Sequence, residues 1–341
     1  MNIKNVIFLS LILLILVSCE NPYAHEGDYY EYWLCSCNLD GSDFTYHYFL
    51  GDDADGCYNC GKVYFTPDDS KVIIKYECYY FMNFDGSDSV EINFPVSPLN
   101  EIVISPDGNK IAYNAFDIYI MDSNGENWQN LTNSGNWWQK YPSFSADSKS
   151  LIFSGRIDTV ANTISISSID IETNIISDVV TDSLEMTQRY YFRNPRFHPN
   201  GEKIYYLLYD RNSVERKSRL YSVKIDGSEK ILLIEGYMNY TAVDFSEDGT
   251  KMVFDFNNQL YTINNDNEIN NLNITGRSPI ISKNGSKILY FDYNVNGVNC
   301  VNIVDYDGLH KKSICLGKNA AFSSDDSKIF VVKDKLISSV K

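Results

Sequence analysis

Short apolar runs with β-branched and aromatic residues recur along the chain, each bounded by a tight cluster of Ser, Pro, Asp, Asn and Gly. Lys110-Ile-Ala-Tyr113, Lys203-Ile-Tyr-Tyr206 and Lys287-Ile-Leu-Tyr290 each leave such a cluster. Residues of this kind suit pleated, half-buried strands, and the clusters between them suit tight turns. Period-2 patterning with dense turn residues leaves no helical stripe, so a helical-repeat architecture is excluded.

The turns are copies of one another. Phe65-Thr-Pro-Asp-Asp-Ser-Lys71, Ile104-Ser-Pro-Asp-Gly-Asn-Lys110, Phe144-Ser-Ala-Asp-Ser-Lys-Ser150 and Phe197-His-Pro-Asn-Gly-Glu-Lys203 come first. Phe245-Ser-Glu-Asp-Gly-Thr-Lys251, Ile281-Ser-Lys-Asn-Gly-Ser-Lys287 and Phe322-Ser-Ser-Asp-Asp-Ser-Lys328 complete a set of seven. Ser first, Pro allowed second, Asp or Asn third and Gly often fourth is type I turn chemistry. A second hairpin signal follows in most repeats, at Asp40-Gly41, Asp85-Gly86, Asp122 to Gly125, Asp226-Gly227 and Asp307-Gly308. Two hairpins make four strands. Starts at 65, 104, 144, 197, 245, 281 and 322 are 39, 40, 53, 48, 36 and 41 residues apart, the period of a four-stranded propeller blade.

The expected fold is therefore all-β: a seven-bladed β-propeller of four-stranded antiparallel blades, its ring closed by strands from both termini. Shared closure covers edges that would otherwise recruit other strands. Segments Tyr30 to Leu39 and Phe44 to Leu50 lack a preceding hairpin of their own, so they are expected to complete the last blade beside Leu336 to Val340. Six blades, or an eighth partial one, are the alternative arrangements.

The Ser-Pro-Asp-Gly-x-Lys-Ile-Ala-Tyr core at Ser105 to Tyr113, with Ile118-Tyr-Ile-Met-Asp122 and Leu131-Thr132 after it, resembles the TolB-like, WD-repeat-like propeller family. The resemblance runs through nearly all of the chain after its first thirty residues. It implies a toroid with a binding role in the bacterial envelope. TolB itself carries an α/β domain before its propeller and nothing of that composition is expected here, so TolB's own partners are not carried over.

The N-terminus adds a location. Lys4 precedes an apolar run from Val6 to Val17, interrupted only by Ser10, too short to span a bilayer core but suited to a signal peptide. The run ends in Leu16-Val17-Ser18-Cys19, which resembles the lipobox of bacterial lipoproteins, whose cysteine thiol carries the lipid. The expected organisation is a signal peptide over 1–18, a tether over 19–29 lipidated (palmitate included) at Cys19, and the propeller over 30–341. This places a lipid-anchored protein in the cell envelope, on the outer or cytoplasmic membrane and facing the periplasm or exterior.

Charge narrows the partners. With 29 basic against 45 acidic residues the net charge is −16, which argues against nucleic acid and against an anionic lipid surface. Six of the eight arginines nonetheless fall between Arg189 and Arg219. The longest repeat spacings enlarge the face opposite the seven turns, and that loop-rich face would gather Trp137, Trp138, Tyr141, Arg156, Arg189, Tyr190, Tyr191, Arg193, Arg211 and Arg216. Arg and aromatic residues are enriched where proteins meet partners, so these ten are the candidate binding residues for an envelope protein or glycan. The competing reading has the rings filling gaps between blades and the arginines paired on a solvated rim.

Seven cysteines remain after Cys19. Were Asp307-Gly308 a two-residue turn, opposite residues would sum to 615, placing Cys300 opposite Cys315 as a disulfide candidate. Cys35, Cys37, Cys57 and Cys60 are further disulfide candidates near the closure, with free thiols or a four-thiolate zinc site as the alternatives. No cofactor is expected, and the acidic loop Asp52 to Gly56 lacks a full calcium ligand series. The four histidines, His25, His47, His198 and His310, have no metal-ligand spacing, and no nucleophile elbow is present. A non-catalytic binding module is thus expected, the alternative being a glycan lyase or hydrolase that uses carboxylates of the propeller channel.

Overall fold

The computed structural model describes residues 28–52, 62–75, 78–99, 102–133, 139–158, 163–183, 190–210, 217–237, 242–264, 268–293 and 299–339. The signal segment and Cys19 lie outside them, as do Cys57 and Cys60. Strand β1 (Asp28–Asn38) opens two residues inside the span expected for the tether, and β2 (Thr45–Asp52) follows.

Five separate four-stranded antiparallel sheets succeed one another along the chain. The first holds β3 (Lys62–Phe65), β4 (Val72–Lys75), β5 (Tyr79–Met82) and β6 (Val90–Ile92). Next come β7 (Val103–Ile104), β8 (Lys110–Ala115), β9 (Asp117–Asp122) and β10 (Gln129–Asn130), then β11 (Lys140–Phe144), β12 (Ser150–Asp158), β13 (Thr163–Asp170) and β14 (Ile176–Ser183). The fourth has β15 (Tyr190–Phe197), β16 (Lys203–Asp210), β17 (Lys217–Lys224) and β18 (Ile231–Tyr237). The fifth has β19 (Val243–Phe245), β20 (Lys251–Phe256), β21 (Gln259–Asn264) and β22 (Ile269–Thr275). This is a propeller of four-stranded antiparallel blades.

The expected count of seven separate blades is corrected. Only five stand apart, and the remaining strands form one seven-stranded sheet in the order β2-β1-β27-β26-β25-β24-β23. It contains β23 (Arg277–Ile281), β24 (Lys287–Tyr293), β25 (Asn299–Asp305), β26 (Lys312–Phe322) and β27 (Lys328–Ser339). The physical reason is the length of β26. Its first half pairs with β25 up to Leu316, and from Gly317 it pairs with β27 without an intervening loop. Gly317 makes this passage possible, because a Cβ there would collide with the Val332 carbonyl. Within the same sheet β1 pairs with β27 from Asp28↔Ser339 to Asn38↔Lys328, so segments from both ends of the chain share a ladder.

All seven Ser-type turns are built alike. The first turn residue donates its backbone N–H to the carbonyl six residues after the preceding strand end, as in Ser105 to Lys110 (2.9 Å) and Ser282 to Lys287 (2.9 Å). The hydroxyl of Ser105, Ser145, Ser246, Ser282 or Ser323 donates to the acid or amide two residues on, so Asp107, Asp147, Asp248, Asn284 and Asp325 close each turn. Hydrogen bonds from the Ser323 and Ser327 hydroxyls hold the Asp325 carboxyl down to about 2. The fourth position is left-handed, at Gly108 (φ 75°), Gly201 (73°), Gly249 (70°) and Gly285 (69°).

Three turns carry a side chain at that left-handed position, and each side chain reaches the preceding turn. Asp69 (φ 59°) accepts from Ser324 N–H at 2.6 Å, and the Ser148 (φ 60°) hydroxyl accepts from Asp107 N–H at 3.1 Å. Asp326 (φ 58°) accepts from both Lys283 N–H (2.9 Å) and Asn284 N–H (2.8 Å). The local cost of a non-glycine residue there is offset by a clip between neighbouring turns.

The core lies between sheets rather than inside them. Ile152, Ile166 and Val180 of one sheet pack on Phe192, Tyr206 and Leu208 of the next, and Leu34, Leu50 and Val332 pack on Val63, Val72 and Ile74. The seven-stranded sheet folds onto itself in the same way, Cys35, Cys37 and Val331 meeting Leu289, Val301 and Ile303. One position per repeat anchors these layers: Ile74, Tyr113, Phe153, Tyr206, Phe254, Tyr290 and Val331, three residues into the strand after each Ser turn, are all fully buried. Full burial of such a side chain stabilises the fold by roughly 1.5–3 kcal/mol.

Candidate functional site

A central cavity of about 1000 Å³ faces the first strands of most sheets and is reached by the second sheet through its Ser turn at Pro106. Its walls come from β3, β11, β15, β19, β23 and the second half of β26, and Pro67, Pro106, Pro199 and Lys283 of the Ser turns ring one end. Phe65, Phe245 and Phe291 give it apolar patches. Among the described residues its charged lining runs against the chain's overall charge: Lys62, Arg196, Arg277, Lys283 and Lys318 stand with Asp244 and Glu247.

Three of these cations, Lys62, Arg277 and Lys318, stand at or near the start of a first strand, hence at the end of the cavity away from the Ser turns. Arg277 hydrogen-bonds the Asn299 side chain, and Lys318 Nζ lies 4.3 Å from the Tyr32 ring centroid. For Arg277 and Lys318 the placement comes from a bulge repeated in four first strands, whereas Lys62 stands on a regular ladder. The ladder slips between Lys140 and Ser143, Arg193 and Arg196, Arg277 and Ile280, and Lys318 and Ala320. In each, the residue just after the cation is left-handed: Tyr141 (φ 57°), Asn194 (47°), Ser278 (47°) and Asn319 (52°). Such bulges re-aim side chains along a strand.

The two acids differ from the surface turn carboxylates. Asp244 borders the cavity but is enclosed by its walls, and this burial pushes its carboxyl up to about 6 against the lowering effect of Ile281 N–H (2.8 Å) and Arg196. Behind the wall, Asp255 is 1% exposed and accepts from Ala242 N–H at 2.7 Å. Burial carries it up to about 7, although the Ser278 N–H and Arg277 pull the other way. The Asp255 carboxylate thereby ties β20 to the bulge that aims Arg277 into the cavity.

The sequence-derived patch is only partly in view. Trp137, Trp138, Arg189, Arg211 and Arg216 lie outside the described residues. Arg156 falls on β12 and Tyr190 on β15. Tyr141 is the left-handed bulge residue of β11, and Tyr191 is half-buried opposite Tyr209. The Arg193 guanidinium stacks 4.7 Å from the Tyr209 ring centroid, a packing role. Sequence reasoning missed the channel cations Lys62, Arg277 and Lys318. For Arg277 and Lys318 a signal was present: each stands four residues before the residue that opens a Ser turn, Ile281 and Phe322, an offset shared by Lys140 and Arg193 outside the lining and not by Lys62.

The expected Cys300 and Cys315 pairing is overturned. Inner pairs Asn302↔Ser313 and Ile303↔Lys312 do sum to 615, but a bulge at Val301/Asn302 shifts the register to Cys300↔Leu316 and Val301↔Cys315. Cross-strand partners share a face and neighbours alternate, so Cys300 and Cys315 point to opposite sides of the sheet. No disulfide joins Cys35, Cys37 or Cys315 in this structure. Among the described residues no cluster of His, Cys, Asp or Glu is placed to hold a metal ion.

No family model matches the sequence, and no curated protein matches it either. Solved structures do match in fold. A protein assigned as TolB from Agrobacterium tumefaciens is 16% identical with a TM-score of 0.53, covering 90% of this chain and 99% of that one. An oligogalacturonate lyase in complex with manganese is 10% identical with a TM-score of 0.64, covering 90% and 97%. A prolyl endopeptidase is 11% identical with a TM-score of 0.55, covering 78% of this chain and 48% of that one. At these identities the likeness speaks for architecture, and the architecture is that of a β-propeller.

Proposed function

We propose that this protein is a non-catalytic binding module of the cell envelope, anchored through a lipid on Cys19, whose central channel takes up an anionic glycan. The observation that carries the reading is the excess of cations, Lys62, Arg196, Arg277, Lys283 and Lys318 against Asp244 and Glu247, in a chain of net charge −16. Guanidinium and ammonium groups inside a low-dielectric recess attract carboxylates more strongly than the same groups on an open surface. A recess of about 1000 Å³ suits a few sugar units, and its amide and ring lining suits hydroxyls and sugar faces. In this reading the entrance lies on the face opposite the Ser turns, the end at which Lys62, Arg277 and Lys318 stand. Lipidation rests on Leu16-Val17-Ser18-Cys19 alone. Closure of the ring by both termini is supported by the β1 and β27 ladder and by the Asp69 clip to Ser324.

The test is titration calorimetry with acidic and neutral oligosaccharides. The wild type binds acidic chains with an affinity that falls as salt rises, and a Lys62→Gln, Arg277→Gln, Lys318→Gln variant loses at least tenfold. Equal affinity of variant and wild type sinks the reading. A second reading, an enzyme using channel carboxylates, draws on the raised Asp244 beside Arg196. The fold likeness to a protein named as an oligogalacturonate lyase is compatible with it. Cleavage of an acidic glycan by wild type, lost in Asp244→Asn, would favour it.

A further inference from the structure

We propose that Cys37 and Cys315 form a disulfide that fastens β1 to β26 across the fold of the seven-stranded sheet. Three thiols meet in this interface. Cys35 and Cys37, two residues apart on β1, share one face and are 0% and 1% exposed. They pack in one cluster with Val301, Ile303 and Cys315 of the opposing layer. Cys315 shares the Val301 side of its ladder, which directs it into that cluster.

The other pairings fare worse. Cys35 and Cys37 are neighbours along an extended strand, where a two-residue step of about 6.8 Å lies at the outer limit of what a disulfide spans. Cys300 is on the far face. Cys35 is the competing partner on β1, in the same cluster as Cys37, and the Cys35→Ser and Cys37→Ser peptide maps separate the two.

Burial governs when the bond is made. It pushes Cys35 up to about 12 and Cys37 up to about 11, and raises Cys315 well above the usual thiol range. Protonated thiols are poor nucleophiles, so exchange proceeds when β1 is not fully docked. Cys315 thiolate then attacks an external disulfide of the oxidised-glutathione class, expelling one thiol and leaving a mixed disulfide. Cys37 thiolate displaces the second thiol. Two protein S–H bonds are lost, one S–S bond is formed, and the external disulfide is reduced to two thiols. Once β1 docks, the same burial shields the bond from reductants.

The experiment incubates the full chain with oxidised glutathione just below its unfolding midpoint, quenches with an alkylating agent, and maps linked peptides by mass spectrometry. The expected result is a peptide pair joining Cys37 to Cys315, retained in Cys35→Ser and lost in Cys37→Ser and Cys315→Ser. The oxidised protein also unfolds roughly 5–10 °C higher, reversibly on reduction, since the bridge closes a loop of nearly the whole chain. Recovery of both cysteines alkylated, or Cys315 joined to any other cysteine, overturns the proposal. Where a Ser variant fails to fold, the wild-type peptide map decides alone.

Discussion

Asp69 is the most informative single position for the cohesion of the ring. It sits at a left-handed backbone site (φ 59°) that glycine fills in four sister turns, and its carboxylate accepts from Ser324 N–H at 2.6 Å. That bond joins turns 255 residues apart in sequence. A hydrogen bond to a charged acceptor contributes about 1.5–3 kcal/mol, and at this half-exposed site the lower end applies. Left-handed geometry costs an ordinary residue about 1–2 kcal/mol, less for Asp or Asn. Asp69→Asn keeps an acceptor and the backbone tolerance, so it loses only about 0.5 kcal/mol. Asp69→Gly loses the clip, is relieved of local strain and gains unfolded-state entropy, for a net loss of about 1 kcal/mol. Asp69→Ala loses the clip and meets the full backbone cost, about 2–3 kcal/mol. Urea unfolding followed by tryptophan fluorescence at constant m-value reads these differences. The order Asn, Gly, Ala is what the geometry demands. A Gly variant more stable than wild type, or an Ala variant equal to Asn, would refute the idea that the clip holds the turns together.

Other expectations follow from the same coordinates. Gly317→Ala is expected to destabilise by several kcal/mol, because the Cβ meets the Val332 carbonyl; a thermal midpoint unchanged within 1 °C would contradict the close approach. Tyr113→Phe should be neutral or stabilising by up to about 1 kcal/mol, since its buried hydroxyl has no hydrogen-bond partner and Phe153 and Phe254 fill the same position in sister repeats. Asp255 has a folded-state value of about 7 against 3.8 unfolded, so it binds its proton more tightly when folded. Its contribution to stability is full below about pH 4, is lost as pH rises through 7, and is flat above. Denaturation midpoints of wild type should therefore decline between pH 4 and 7 more steeply than those of Asp255→Asn, and identical slopes would contradict the assignment.

The seven turns were legible because each is encoded locally: a hydroxyl, an acid or amide, and a residue that tolerates left-handed backbone fix the hairpin within seven residues. The blade count was not, because the separation of sheets depends on whether the outermost strand of one repeat ends before the next begins. At β26 it does not, and only Gly317 hints at this. The cysteine pairing failed for a similar reason. One extra residue in a ladder, at Val301/Asn302, reverses which face a side chain takes, and no local motif announces it. The channel cations were hidden by aggregate charge. A total of −16 says nothing about which charged groups line the axis, although the offset of Arg277 and Lys318 from their Ser turns was there to be read.

The ladder joining β1 to β27 also sets an order of events in biosynthesis. Asn38 pairs with Lys328, so β1 has no native neighbour on that side until 290 more residues have been made. At about 5–20 residues per second this is a wait of roughly 15 to 60 s. Throughout that interval Leu34, Cys35 and Cys37, destined for complete burial, have only β2 and the first blades to cover them. The longer those side chains wait uncovered, the more they are exposed to aggregation, so yield should fall when elongation slows near the 3′ end of the message.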